Sequence, residues 1–211
     1  MIIIIKRKIL FLIFIIPILL ITTTLVSSAV EEPDWPAYKE KNEAIIENDP
    51  ADIMANYNYT IALVNLGEIK TAYRNINKFG SDFEEQYFVA KIVPYLFEIS
   101  KHPDNILLLN YAAFYGVIVE DYSISIKYFE KILELTPQNY NIRNFLSASY
   151  LEQEDYEKAI KEANRALENK ENEFSHLLLG AIHYEKGNMI KALSQLSKAG
   201  SLGRELLNNK K

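Results

Sequence analysis

From residue 53 onward the apolar positions fall three and four apart, the spacing that lines up one face of an α-helix. Ile53, Tyr57, Ile61 and Val64 form such a stripe, widened by Tyr59, Ala62, Leu63 and Leu66. Asp49-Pro50 supplies the start signal, an Asp to cap free amides and a Pro pre-set for the first turn. Leu66-Gly67 breaks the run, and Ile69, Ala72, Tyr73, Ile76 and Phe79 begin a second one, so the two read as an antiparallel helix hairpin. Ser81 and Glu84 fit a capping box, which predicts a further helix over about residues 82–100. That helix carries Phe83, Tyr87, Phe88, Ile92, Tyr95, Phe97 and Ile99, is apolar nearly all round, and contains Pro94, which predicts a kink. Such a helix is expected between neighbours or over the inside of a curved stack. Six more helices follow by the same pattern: Ile106 to Val119, Tyr122 to Leu135, Ile142 to Gln153, Tyr156 to Glu168, Phe174 to Lys186 and Met189 to Ala199. Gly200, Gly203 and the polar residues 208–211 end the chain, with Arg204 to Leu207 as a last partial turn.

These helices repeat. Glu120-Asp121-Tyr122, Glu154-Asp155-Tyr156 and Gly187-Asn188-Met189 are followed in each case by a small residue (Ser125, Ala159, Ala192) and then by Phe129, Ala163 and Leu196. A period of about 34 residues means stacked supersecondary units rather than one globule. The pattern resembles the tetratricopeptide repeat. Ile106 to Asn139 is the fullest match: Leu109 where the family favours Trp, Ala113, Asp121-Tyr122, Ser125, Phe129, Leu133 and Pro137. The next unit matches through Leu146, Ser147, Tyr150, Asp155-Tyr156, Ala159, Ala166 and Leu167, with Glu171 where Pro is usual. The third matches through Leu179-Gly180, Gly187, Ala192, Leu196 and Ala199. Ile53 to Gln86 is a weaker fourth, separated from the others by the 19 residues Tyr87 to Asn105. The resemblance implies an all-α fold, a short α-solenoid of antiparallel hairpins with one extra kinked apolar helix. Small residues at set positions let helices approach closely.

The organisation expected is a leader at 1–29, a linker and entry helix at 30–48, a degenerate repeat plus the extra helix at 49–105, three repeats at 106–206, and a polar tail at 207–211. The resemblance also implies that the first helix of each hairpin lines a concave face. The lining expected is Met54, Tyr57, Ile61 and Val64; Leu107, Asn110, Phe114 and Val117; Asn141, Asn144, Ala148 and Leu151; and Phe174, Leu177, Ala181 and Tyr184. This face is largely apolar, which suits an apolar or amphipathic segment of another protein. Some members of the family clamp a terminal carboxylate there. Arg143 beside Asn144 is the one fragment of such a clamp, and reads as a solvated helix face.

Composition adds limits. Fourteen Tyr and 10 Phe against 7 Gly and 7 Pro favour long helices with aromatic contacts over turn-rich sheets. Residues 1–29 combine a basic cluster (Lys6, Arg7, Lys8), an apolar run from Ile9 to Ile21 broken by Pro17, and small residues Ser27-Ser28-Ala29. That outline is a secretory signal, or, if Thr22 to Val26 are counted, an uncleaved anchor, and either places the rest of the chain outside the cytoplasm. Val30 to Pro36 reads as a short extended linker, with Trp35 tucked against the first helix. No cysteine is present, which removes disulfides, thiolate metal sites and thiol nucleophiles. Without Lys6, Arg7 and Lys8, 20 basic residues face 28 acidic ones, which argues against nucleic acid or anionic lipid as partner.

Chemistry is sparse. His102, His176 and His183 are the only histidines; His176 and His183 stand two helical turns apart, too far for one metal without a third ligand. There is no phosphate loop, serine elbow or HExxH, so neither catalytic residues nor a cofactor or metal are expected. Glu152, Glu154, Asp155 and Glu157 cluster at one turn as a solvated face. The expectation is an exported, non-enzymatic interaction scaffold with a protein or peptide partner. The alternatives are a self-assembling structural protein whose stack edge pairs with itself, and an accessory factor for envelope assembly.

Overall fold

The structure, a computed structural model, describes residues 31–80 and 85–208. The leader and the Ser81–Glu84 capping box lie outside the described residues. Among the described residues there are eleven helices and no strand. They are α1 (Trp35–Asn48), α2 (Ile53–Asn65), α3 (Ile69–Gly80), α4 (Glu85–Glu98), α5 (Ile106–Ile118), α6 (Tyr122–Leu135), α7 (Tyr140–Glu152), α8 (Tyr156–Asn169), α9 (Glu173–Glu185), α10 (Met189–Lys198) and α11 (Gly200–Asn208). None of them is long and apolar enough to cross a membrane.

The fold is an α-solenoid of antiparallel hairpins. Hairpins α5–α6, α7–α8 and α9–α10 stack in sequence, α6 on α7 and α8 on α9. Asn and Asp caps set the starts: the side chains of Asn105, Asp121, Asn139, Asp155 and Asn172 each accept from the amide three residues on. Each hairpin turn passes through one left-handed residue, at Gly67 (φ 78°), Glu120 (56°), Glu154 (60°) and Gly187 (72°). Small residues hold the helices close. A Cβ on Gly116 would lie 2.7 Å from the backbone nitrogen of Ser125, and Ser147 Oγ donates to Ala159 O at 2.8 Å.

Three details differ from the sequence reading. Helix α1 begins at Trp35, because Asp34 Oδ1 accepts from Ala37 N at 3.0 Å and Pro36 is already in helical φ. Asp49-Pro50 ends that helix rather than starting the next: Asp49 is its C-cap, and α2 starts at Ile53 under Asp52, which accepts from Ala55 N at 2.8 Å. The chain also ends in a further helix, α11, whose N-terminal amides are capped from elsewhere. Glu173 accepts from Ser201 N (3.2 Å) and Leu202 N (3.3 Å). Helix α4 continues past Pro94, with Phe88 and Ile92 fully buried and Tyr87, Tyr95 and Phe97 on an exposed face, so neighbours cover it on one side only. Trp35 is buried against Tyr38, ring centroids 6.2 Å apart.

Candidate functional site

The apolar stripe of α2 looks across at the inner helices of the later hairpins rather than continuing their row. Helix α2 touches both α5 and α7. Its last residue explains why. Asn65 Nδ2 donates to Asn110 Oδ1 at 2.9 Å, its Oδ1 accepts from Asn139 Nδ2 at 3.3 Å, and its carbonyl accepts from Asn141 Nδ2 at 3.2 Å. Buried amides need partners, so this cluster fixes one seating of the α2–α3 hairpin on α5 and α7. The Gly67 turn then presses on α7, where a Cβ would come within 3.2 Å of the Asn141 amide. On the far side Lys70 binds Glu173 (3.5 Å) and Ser201 Oγ, joining α3 to α9 and α11.

Between these elements lies an apolar cavity of about 520 Å³. Tyr57, Ile61 and Val64 of α2 form one wall; Ile69, Ala72 and Ile76 of α3 form another. Phe88, Phe114, Val117, Phe145, Phe174, Leu177 and Leu202 add further apolar surface, and Asn56 and Thr60 supply polar atoms. Three of these rings make a ladder across successive inner helices: Phe114 to Phe145 at 5.2 Å and Phe145 to Phe174 at 5.4 Å between centroids. Tilted and edge-on packing of this kind suits the ring quadrupoles. The volume lies within the range of ligand pockets. A second, polar cavity of about 360 Å³ adjoins it through Ile69, Phe174 and Leu202, and is walled by Glu68, Lys70, Asn141, Lys170 and Glu173 among others. The apolar chamber therefore opens beside a charged mouth.

Of the residues expected to line the groove, Tyr57, Ile61, Val64, Phe114, Val117, Phe174 and Leu177 meet in this cavity. Burial pushes the Tyr57 phenol well above its usual range, and its hydroxyl donates to Tyr111 O at 2.6 Å. Asn110 is buried and bonded to Asn65. Arg143 and Asn144 are engaged inside the fold. Arg143 donates to Glu162 Oε2 at 2.6 Å and to Pro137 O at 2.8 Å. Asn144 donates to Asn172 Oδ1 at 3.1 Å and accepts from Ser175 Oγ at 2.6 Å. Ala148 and Ala181 are half-buried, and Tyr184 is 57% exposed at the end of α9. Sequence reasoning missed Phe145 and the whole α3 wall. Phe145 sits beside Asn144, and its ring spacing to Phe114 and Phe174, 31 and 29 residues, runs short of the repeat and so hid in it.

Of the three histidines, His176 is buried, His183 half-buried and His102 exposed. His176 contacts Gln195 Oε1 at 2.7 Å and Glu171 Oε1 at 2.5 Å. His183 is held below its usual pKa by desolvation and by Lys191 and Lys186. Among the described residues no group of three or more His, Asp or Glu side chains could hold a metal ion.

No known family profile matches this chain, and no curated protein does. Solved structures do. MamA MSR-1 C2 is 19% identical over 81% of this chain and 88% of that one, with a TM-score of 0.46. MamA 41-end from Desulfovibrio magneticus RS-1 is 18% identical over 79% of this chain and 84% of that one, with a TM-score of 0.47. A chain of the APC/C hetero-tetramer Cut9-Hcn1 is 18% identical over 80% of this chain and 29% of that one, with a TM-score of 0.50. The last likeness, with the hairpin geometry above, supports a tetratricopeptide-like fold.

Proposed function

We propose that this chain is an exported interaction scaffold that takes an apolar segment of a partner protein into the cavity between its first hairpin and the inner helices of its repeats. One observation carries the reading: a 520 Å³ chamber walled by Tyr57, Ile61, Phe114, Phe145, Phe174 and Leu177 within a stack of helix hairpins. Unfilled apolar volume of that size forfeits packing that an apolar ligand restores. The adjoining polar mouth suits the flanking backbone and charges of a peptide better than a purely apolar guest. Binding rather than catalysis is favoured, since among the described residues no acid–base or nucleophilic pair lines the chamber. Export rests on the basic, apolar and small-residue order of residues 1–29.

Leu177 is half-buried at the cavity wall, so Leu177→Glu should leave the helices intact and place a charge in the chamber. Crosslinking pull-down from the native host should then lose the partner that the unaltered chain captures. Capture that survives Leu177→Glu would exclude the chamber as the binding site.

A further inference from the structure

The repeats show what covers the outer side of each second helix. Ser123, in the first turn of α6, accepts from Gln153 Nε2 just past α7 at 3.0 Å. Tyr156, in the first turn of α8, carries Lys186 Nζ, just past α9, 5.7 Å from its ring centroid. These first-turn positions meet the following hairpin. In α10 the same register holds Met189 and Ile190, with Leu193 one turn on, and among the described residues no hairpin follows. Met189 is 51% exposed, Ile190 87% and Leu193 64%. An outer helix face that no further repeat covers is ordinarily polar; among the described residues this one is apolar. The flanking sequence is basic: Lys186, Lys191, Lys198 and Arg204 stand against Glu185 and Glu205.

The first helix is the complement. Between Glu31 and Asp49 seven acidic residues stand against two lysines, and all seven acids are exposed. Ala37 and Ala44, seven apart on one face of α1, are exposed, with Ile45 beside them at 37%. Small side chains there leave room for the large ones of another helix.

We propose that a second copy of this chain stacks head to tail, the Ile190–Leu193 ridge of α10 seating on the Ala37–Ala44 face of α1 in the next copy. Opposite charge around the two faces steers the encounter and sets its direction. Pairing α10 with α10 about a two-fold axis would instead place Lys186, Lys191 and Lys198 against their own copies. A head-to-tail contact uses two different surfaces, so it repeats along a row of copies rather than closing at two. The ridge lies outside the chamber of the proposed function, and the two readings stand or fall separately.

The chain has no cysteine, which permits a direct test on the full-length protein. Chains carrying Leu193→Cys and Ala44→Cys are mixed and treated with a short bismaleimide. The mixture should give a crosslinked dimer in roughly tenfold greater yield than either chain alone, the preference expected of an apolar contact worth about 1.4 kcal/mol. Adding Ile190→Glu to the Leu193→Cys chain should remove that excess, and high salt should reduce it. Both ridge positions are largely exposed, so the variants retain the fold. Equal crosslinking of Leu193→Cys with itself would overturn the head-to-tail arrangement, and no adduct in the mixture would overturn self-stacking altogether.

Discussion

Asn65 at the end of α2 and Asn110 in the middle of α5 are joined by one amide–amide hydrogen bond of 2.9 Å, between residues 45 apart in sequence. Asn110 is fully buried, and its own Nδ2 is already spent on Ile106 O at 2.8 Å. The pair therefore couples the seating of the first hairpin to the interior of the repeat stack, and through it the closure of the apolar chamber.

Replacing Asn65 with Ala strands the Asn110 carbonyl in the interior. The expected loss is about 1–3 kcal/mol in urea unfolding, the cost of an unpaired buried polar group. A change below about 0.5 kcal/mol, the level of a neutral surface substitution, would show that Asn65 does not seat the hairpin.

The hairpin turns make the same left-handed demand and meet it with different residues. Glu154 holds a left-handed backbone (φ 60°) that costs a side-chain-bearing residue about 1–2 kcal/mol, whereas glycine adopts it freely. Glu154→Gly should raise stability by about 0.5 kcal/mol once the greater freedom of glycine in the unfolded chain is deducted. Gly67→Ala should lower it by about 1–2 kcal/mol, because φ is 78° and the new methyl also meets Asn141. Thermal melts of the two variants should move in opposite directions.

Gly116 lets α5 approach α6. Its Cβ would stand 2.7 Å from Ser125 N and 2.8 Å from Asp121 O, backbone atoms that cannot turn aside. Gly116→Ala should cost about 1–3 kcal/mol by overpacking, although alanine is the better helix former. At Gly180 the nearest atoms belong to the Leu196 side chain, which can rotate, so Gly180→Ala should cost less. Chemical denaturation of the pair tests that order.

Glu173 ties the acid limit of stability to the closure of α11. Burial works to raise its pKa, but the Ser201 and Leu202 amides, then Lys70, outweigh burial and hold it below the ordinary 4.5. A carboxylate whose folded pKa is lowered contributes stability that is complete above the unfolded value and disappears as pH falls through the folded one. The Tm advantage of the native chain over Glu173→Gln should therefore be full at about pH 6 and shrink steadily below about 4.5. An advantage that does not change with pH would contradict this role.

Much of the architecture was legible because the repeat imposes it. Asp121-Tyr122 and Asp155-Tyr156 mark the turns, and Ser125, Ala159 and Ala192 mark close approach, all by local rules, whereas Asn139 caps a helix that starts at Tyr140 and not at the expected Ile142. Two things were not local. Asp49-Pro50 and Asp34–Pro36 carry similar start signals, and only the capping bonds of Asp34 and Asp52 decide which is used. The side of the stack on which α2 and α3 sit depends on Asn65, Asn110, Asn139 and Asn141 meeting, a contact between segments far apart that no periodicity encodes. That is why Tyr57 and Ile61 could be read as lining residues while Ile69, Ala72 and Phe145 opposite and beside them could not. Arg143 read as a surface residue because its partner Glu162 lies 19 residues away on the next helix.

The chamber itself is tested most directly by placing a photoreactive benzoylphenylalanine at Leu177 in the native host, with and without Ala72→Phe to fill the cavity, and with Tyr128, which does not line the chamber, as control. Occupation of the chamber by a partner segment gives one defined protein adduct from Leu177, lost when Ala72→Phe is present in a chain that still melts cooperatively, and absent from Tyr128. The same adduct from Leu177 and Tyr128, unaffected by Ala72→Phe, would contradict it.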